Sequence, residues 1–290
     1  RRHRPYIPTD PEHPDNTLTV RDGRLTPRAV VPRAEWEFVG LRDGSQPDQL
    51  TGVRMEGGFQ AGKIYELVYR AANPRVAGLG LAAVRDVMSY AKHELESVFP
   101  VRLGIAFGVS QTGRFLRHYL YQGFNTDEGG RKVFDGMLIH TAGAGRGSFN
   151  HRFAQPSRDG HRFSAFFYPT DLFPFTSRIQ QDPVTDREAG LFPVERPDHL
   201  PYVFYTNTGY EYWGRAASLI HTSVDGTQDV EPRENERIYH LSGAQHFVGP
   251  FPPPEEALVG EGPIPTYRGN GGHFLPTLRA LALRLGSWAE

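Results

Sequence analysis

From Lys63 to the C-terminus, short runs of strand-type residues alternate with segments whose apolar residues recur at helical spacing, and this alternation restricts the fold more than any other feature. Lys63–Tyr69 is dense in Ile, Tyr, Leu and Val, and Leu81, Val84, Met88 and Ala91 then follow a helical period. The pattern repeats in RLGIAF (102–107), a strand, Gln111–Gln122, a helix, and FDGMLIHT (134–141), a strand. YVFYT (202–206) and Arg237–Leu241 read as further strands. Between them Trp213, Ala216, Ala217 and Ile220 mark a helix, with Trp213 and Ala217 expected in the core, and Leu278, Leu281, Ala282, Leu285 and Trp288 mark a closing one. Crossover helices cover both faces of a sheet, so the expected class is α/β, with a mainly parallel sheet and helices on both sides.

Two regions depart from this texture. Residues 1–60 carry Pro5, Pro8, Pro11, Pro14, Pro27, Pro32 and Pro47 among short extended segments, which predicts an irregular or β-rich N-terminal arm preceding a main domain over 61–290. Within that domain the stretch from about 143 to 200 is too long for an ordinary connection and reads as a lid or binding loop. Arg146, Arg152, Arg158 and Arg162 alternate there with Phe149, Phe153, Phe163, Phe166, Phe167, Phe173 and Phe175. Such a lid suits an aromatic or acidic ester; equally, it suits a satellite hydrophobic cluster.

Charge and composition remove several function classes. Thirty-two basic residues against thirty-three acidic ones leave a net charge of −1, so no global field gathers a nucleic acid. The chain has no cysteine, which excludes a thiolate nucleophile and Cys-ligated zinc. Twelve histidines are scattered without an H-x-x-x-H pair, and His240, within a strand, reads as a hydrogen-bonded structural residue. Val76–Val84 is the longest mostly apolar stretch, far short of the roughly 20 residues a membrane helix needs. Arg1-Arg2-His3-Arg4 opens a polar start without a hydrophobic leader, as expected of a processed terminus or a piece of a longer protein. Compartment and oligomeric state stay open.

Three glycine-containing motifs compete. Gly78-Leu79-Gly80-Leu81-Ala82-Ala83 has the frame of a dinucleotide fingerprint, but the following strand ends in Phe107-Gly108 instead of a ribose-binding acid, so close packing of a helix on the sheet is expected there. Gly108 to Gly113 has the frame of a phosphate loop, yet Arg114 and Phe115 stand where Lys and a hydroxyl are required. In the third reading Ser110 sits at a sharp strand-to-helix turn, with Gly108 two residues before it and Thr112, then Gly113, after it. By spacing alone Ser110 is either a helix cap or a nucleophile. A carboxylate, Glu211, and an imidazole, His246, follow later strands in the order Ser, acid, His that a nucleophile on such a turn requires. Three neighbouring strand ends are expected to bring them together.

The chain resembles the α/β-hydrolase superfamily, and more closely large α/β-hydrolase-domain proteins whose elbow reads G-x-S-Q-[ST]-G-R. The resemblance is carried by GLGLAAVRD (78–86), GVSQTGRFLR (108–117), GRKVFDG (130–136), NHRFAQPSR (150–158), YPTDLFPF (168–175), EYWGRAASLIHT (211–222) and RIYHLSGAQH (237–246). Tannase-like and glucuronoyl esterases, more distantly similar, also carry the later glycine in the elbow. The resemblance implies Ser110 as nucleophile, His246 as base and Glu211 as acid, with Asp225 as the fallback acid. It further implies the Gln111 backbone N–H as one oxyanion donor, with the second expected from a loop upstream of residue 1. The function implied is cofactor-free hydrolysis of a small-molecule carboxylic ester through an acyl-enzyme. A non-catalytic binding module on the same fold is the alternative.

Overall fold

A computed structural model describes residues 6–23, 25–40, 50–71, 73, 78–147, 149, 171–192, 196–249, 252 and 272–290. In chain order the strands and helices are β1 (Thr17–Arg21), β2 (Ala29–Val31), β3 (Trp36–Val39), β4 (Gly52–Met55), β5 (Ile64–Val68), α1 (Gly80–His93), β6 (Ile105–Val109), α2 (Gln111–Tyr121), β7 (Gly136–His140), β8 (Gln180–Gln181), β9 (Glu188–Ala189), β10 (Tyr202–Thr208), α3 (Gly209–Gly214), β11 (Glu236–Leu241) and α4 (Leu275–Ala289). They fall into two compact units, one holding β1–β5 and the other the elements from α1 onward.

The N-terminal unit is antiparallel. Its strands run in the order β2-β1-β5, and β3 pairs with β4. Leu18, Val31, Trp36 and Phe38 form its core, with Trp36 and Phe38 edge to face at 5.4 Å between ring centroids. β5 corrects one expectation: Lys63–Tyr69 is indeed a strand, but it pairs antiparallel with β1 and takes no part in the parallel sheet.

The second unit is built on a four-stranded, all-parallel sheet in the order β11-β10-β7-β6. The two-residue period of its strands divides their side chains between two cores. Ala106, Met137, Ile139, Val203 and Tyr205 face one way and pack with Leu116, Tyr119 and Leu120 of α2 and with Leu81 and Met88 of α1. Leu138 and Phe204 face the other way, against Leu285, Leu281 and Trp288 of α4. All five residues of β7 are buried, as a central strand covered on both faces must be. Each fully buried side chain contributes about 2 kcal/mol, so these two layers outweigh local propensity in fixing the sheet.

Several local expectations are adjusted. RLGIAF is shifted: β6 begins at Ile105, because Gly104 is occupied by hydrogen bonds to Asp135. The helix expected around Trp213–Ile220 is instead the six-residue α3 and a separate 3-10 turn, Ala217–Ile220, with Ala216 in the left-handed region between them. Ala217 is buried as expected, whereas Trp213 is 87% exposed. A Cβ on Gly80 would meet only Phe115 of α2, at 4.0 Å, so close packing on the sheet does not explain this glycine, while Gly78 has φ +93°. Much of the 143–200 excursion, including Arg152, Arg158, Arg162, Phe153, Phe163, Phe166 and Phe167, lies outside the described residues. In the part described, Arg146 donates to the Phe173 carbonyl at 2.9 Å and stacks 4.0 Å over Tyr121, a packing role. No helix among the described residues is long and apolar enough to cross a membrane.

Candidate active site

Ser110 occupies the turn between β6 and α2 with φ +55° and ψ −114°, backbone angles that a non-glycine residue rarely adopts. Its N–H donates to the His140 carbonyl at the end of β7, 2.8 Å away, and its own carbonyl accepts from Arg114 N–H at 3.0 Å. The turn is tight enough to dictate its neighbours. A Cβ on Gly108 would lie 2.6 Å from the Thr112 backbone oxygen, and one on Gly113 would lie 3.0 Å from the His140 carbonyl. The glycine three residues after Ser110 thus permits helix and sheet to approach. Thr112, the departure from G-x-S-x-G, folds back onto the strand end: its hydroxyl is 2.8 Å from both the N–H and the carbonyl of Val109.

The cap reading of Ser110 fails, because its side chain makes no capping hydrogen bond. Its Oγ lies 2.9 Å from His246 Nε2, across 136 positions of sequence. His246 Nδ1 in turn lies 2.5 Å from Glu211 Oε1. Next to an ionised carboxylate Nδ1 carries the proton, which leaves Nε2 as the acceptor facing the hydroxyl.

Glu211 is held by a capping box at the start of α3. Its Oε2 accepts from the Thr208 N–H at 3.0 Å and the Thr208 hydroxyl at 2.5 Å, while the Thr208 side chain caps the helix. The carboxylate is wholly buried and the His246 side chain is 20% exposed. Burial pushes the Glu211 pKa up, but the hydrogen bonds from His246 and Thr208 outweigh it and hold the carboxyl below its ordinary range. Asp225, the fallback acid, is exposed, and its carboxylate is taken by Ser223 and Thr227 in its own turn.

The strand order corrects the expectation of three neighbouring strand ends. β7 lies between β6 and β10, and His246 follows β11, the far edge strand. Residues 242–245 therefore return the imidazole across the rim of the sheet to Ser110. The Gln111 N–H, first in α2, has no hydrogen-bond partner among the described residues, as a free donor beside Ser110 Oγ requires.

Sequence reasoning missed four residues around this site. Thr208 was legible as the T-x-x-E of a capping box. His140, at the end of β7, supplies the carbonyl that anchors Ser110; its Nδ1 is 2.8 Å from Thr206 Oγ1 and its buried Nε2 has no partner among the described residues. Burial pushes its pKa down to about 4, with Glu211 acting upward and His246 downward. Tyr210 and Phe247 flank the His246 ring at centroid distances of 5.3 and 4.4 Å, and no sequence signal marks them. His240, expected to be hydrogen-bonded and structural, is exposed, with its ring edge-on to Tyr212 at 5.2 Å. Among the described residues no group of three His, Asp or Glu side chains converges as a metal site requires.

A strained serine between a parallel strand and a helix, at the carboxyl rim of a sheet covered on both faces, defines the α/β-hydrolase class. The chain belongs to that family: the family model described as alpha/beta hydrolase domain matches residues 53–290. Searches of curated proteins and of solved structures return no significant match.

Proposed function

We propose that this α/β-hydrolase domain cleaves carboxylic esters through an acyl-enzyme, with Ser110 as nucleophile, His246 as general base and acid, and Glu211 as the residue that orients His246. The observation that carries the reading is the 2.9 Å approach of the uncapped Ser110 hydroxyl to His246 Nε2. A serine hydroxyl is a weak nucleophile until an imidazole accepts its proton, and the imidazolium formed needs a nearby carboxylate.

Ser110 Oγ forms a bond to the ester carbonyl carbon while its proton passes to His246 Nε2, and the Gln111 N–H donates to the oxygen that becomes negative. Collapse breaks the bond from carbon to the alcohol oxygen, which takes the proton from Nε2 and departs, leaving the acyl group on Ser110. Water then adds to the acyl carbon as His246 accepts its proton, and the same proton returns to Ser110 Oγ as the acid is released. Glu211 stays ionised throughout, consistent with its lowered pKa.

Labelling with a fluorophosphonate probe and turnover of p-nitrophenyl acetate test this together. Modification at Ser110 and turnover abolished by Ser110→Ala are expected. An unlabelled Ser110 in folded protein, with hydrolysis no faster than background, would instead mark a binding module.

A further inference from the structure

Two aromatic rings in contact with His246 remain largely in solvent: Phe247 is 70% exposed and Tyr210 is 53% exposed. Phe247 lies edge to face with the imidazole, and Tyr210, next to Glu211 on α3, lies tilted against it. The Tyr210 ring also passes over Gly214, where a Cβ would meet it at 3.4 Å, so the ring rests along its own helix beside the imidazole. Neither belongs to the cores of the unit, so neither is explained by packing. Two exposed rings on one imidazole make a small apolar patch beside the Ser110 hydroxyl that a ligand can cover.

We infer that Tyr210 and Phe247 form the wall that receives the alcohol part of the ester, and that this alcohol is a planar aromatic one. The inference rests on the ester-hydrolase reading above, because the chemistry decides which half of the substrate meets these rings. In acylation the alcohol oxygen must come within hydrogen-bond reach of His246 Nε2 to be protonated, so whatever it carries extends alongside the imidazole. The acyl group is bound instead to Ser110. A flat aromatic group covers Phe247 and Tyr210 by offset or edge-to-face contact, a geometry a small aliphatic alcohol does not reproduce.

The test compares kcat/KM, which reads the acylation step while the alcohol is still present, for phenyl acetate, phenyl butyrate and trifluoroethyl acetate. Phe247→Ala and Tyr210→Ala should each lower kcat/KM on both phenyl esters by about tenfold and leave trifluoroethyl acetate within about twofold. Comparing variant with parent on one ester cancels leaving-group acidity. Phe247→Tyr should restore the phenyl esters, phenol should inhibit the alanine variants less than the parent, and Trp213→Ala, 87% exposed on the same short helix, should change nothing. Equal loss on all three esters with a displaced pH profile would overturn the inference, since the rings would then merely position His246. Loss that follows the acyl chain, or no loss, would overturn it as well. Esterase activity that survives Ser110→Ala unchanged is a separate outcome: it removes the underlying reading.

Discussion

Two strand-to-helix turns stand at the carboxyl rim of the same sheet and are finished in opposite ways. At Thr208 the turn obeys the local rules: extended backbone at φ −105° and ψ 178°, a hydroxyl that caps α3 and a glutamate that closes the box. At Ser110 the turn breaks them, with positive φ, no side-chain cap and a hydroxyl facing an imidazole. The difference teaches where the molecule spends stability. Thr208 converts local satisfaction into a fixed, buried carboxylate, whereas Ser110 gives up its cap and leaves its hydroxyl facing His246.

The comparison breaks most visibly through Ser110→Ala. On the proposed mechanism this substitution should reduce turnover of p-nitrophenyl acetate by about a millionfold, while the thermal midpoint stays near that of the parent, since no cap is removed. Glu211→Gln should follow, with kcat lower by about ten-thousandfold, because an amide facing Nδ1 favours the wrong tautomer and cannot stabilise the imidazolium.

His140, whose carbonyl anchors Ser110 and whose ring meets Thr206 of β10, sharpens the contrast through pH. Its pKa is pushed down to about 4 in the fold, so between the unfolded value near 6.5 and about 4 the unfolded chain binds the extra proton. Stability from this group is therefore complete above that window and falls as pH drops through it, by on the order of 3 kcal/mol. Denaturant titrations from pH 7 to 4 should show that slope, and His140→Gln should flatten it. The smallest effect is expected of Thr208→Ala, which should lower stability by about 1 kcal/mol in urea unfolding, the value of a helix cap. A comparable loss for Ser110→Ala would erase the distinction between the turns.

Much of the fold was legible because it is written in short periods. Short runs of strand-type residues in β7 and β10 and the helical spacing in α4 located those elements, since these signals lie within a few residues of one another. Lys63–Tyr69 misled because a strand's sequence does not name its partner, here β1. Trp213 misled because six residues of α3 are too few to present a sustained face, and its ring points outward. Glu211 was the expected acid with Asp225 as the fallback; the contact with His246, burial and the capping box separate them.

By itself the sequence determined the strands, the helices and the glycines that permit a sharp turn, for these follow from backbone sterics and from neighbours close along the chain. Tertiary structure alone decided that β7 lies between β6 and β10, that residues 242–245 carry His246 back across the rim, and that two aromatic rings flank it in solvent. The physical reason is separation. A 2.9 Å contact across 136 residues depends on sheet order and loop path, which no local periodicity encodes.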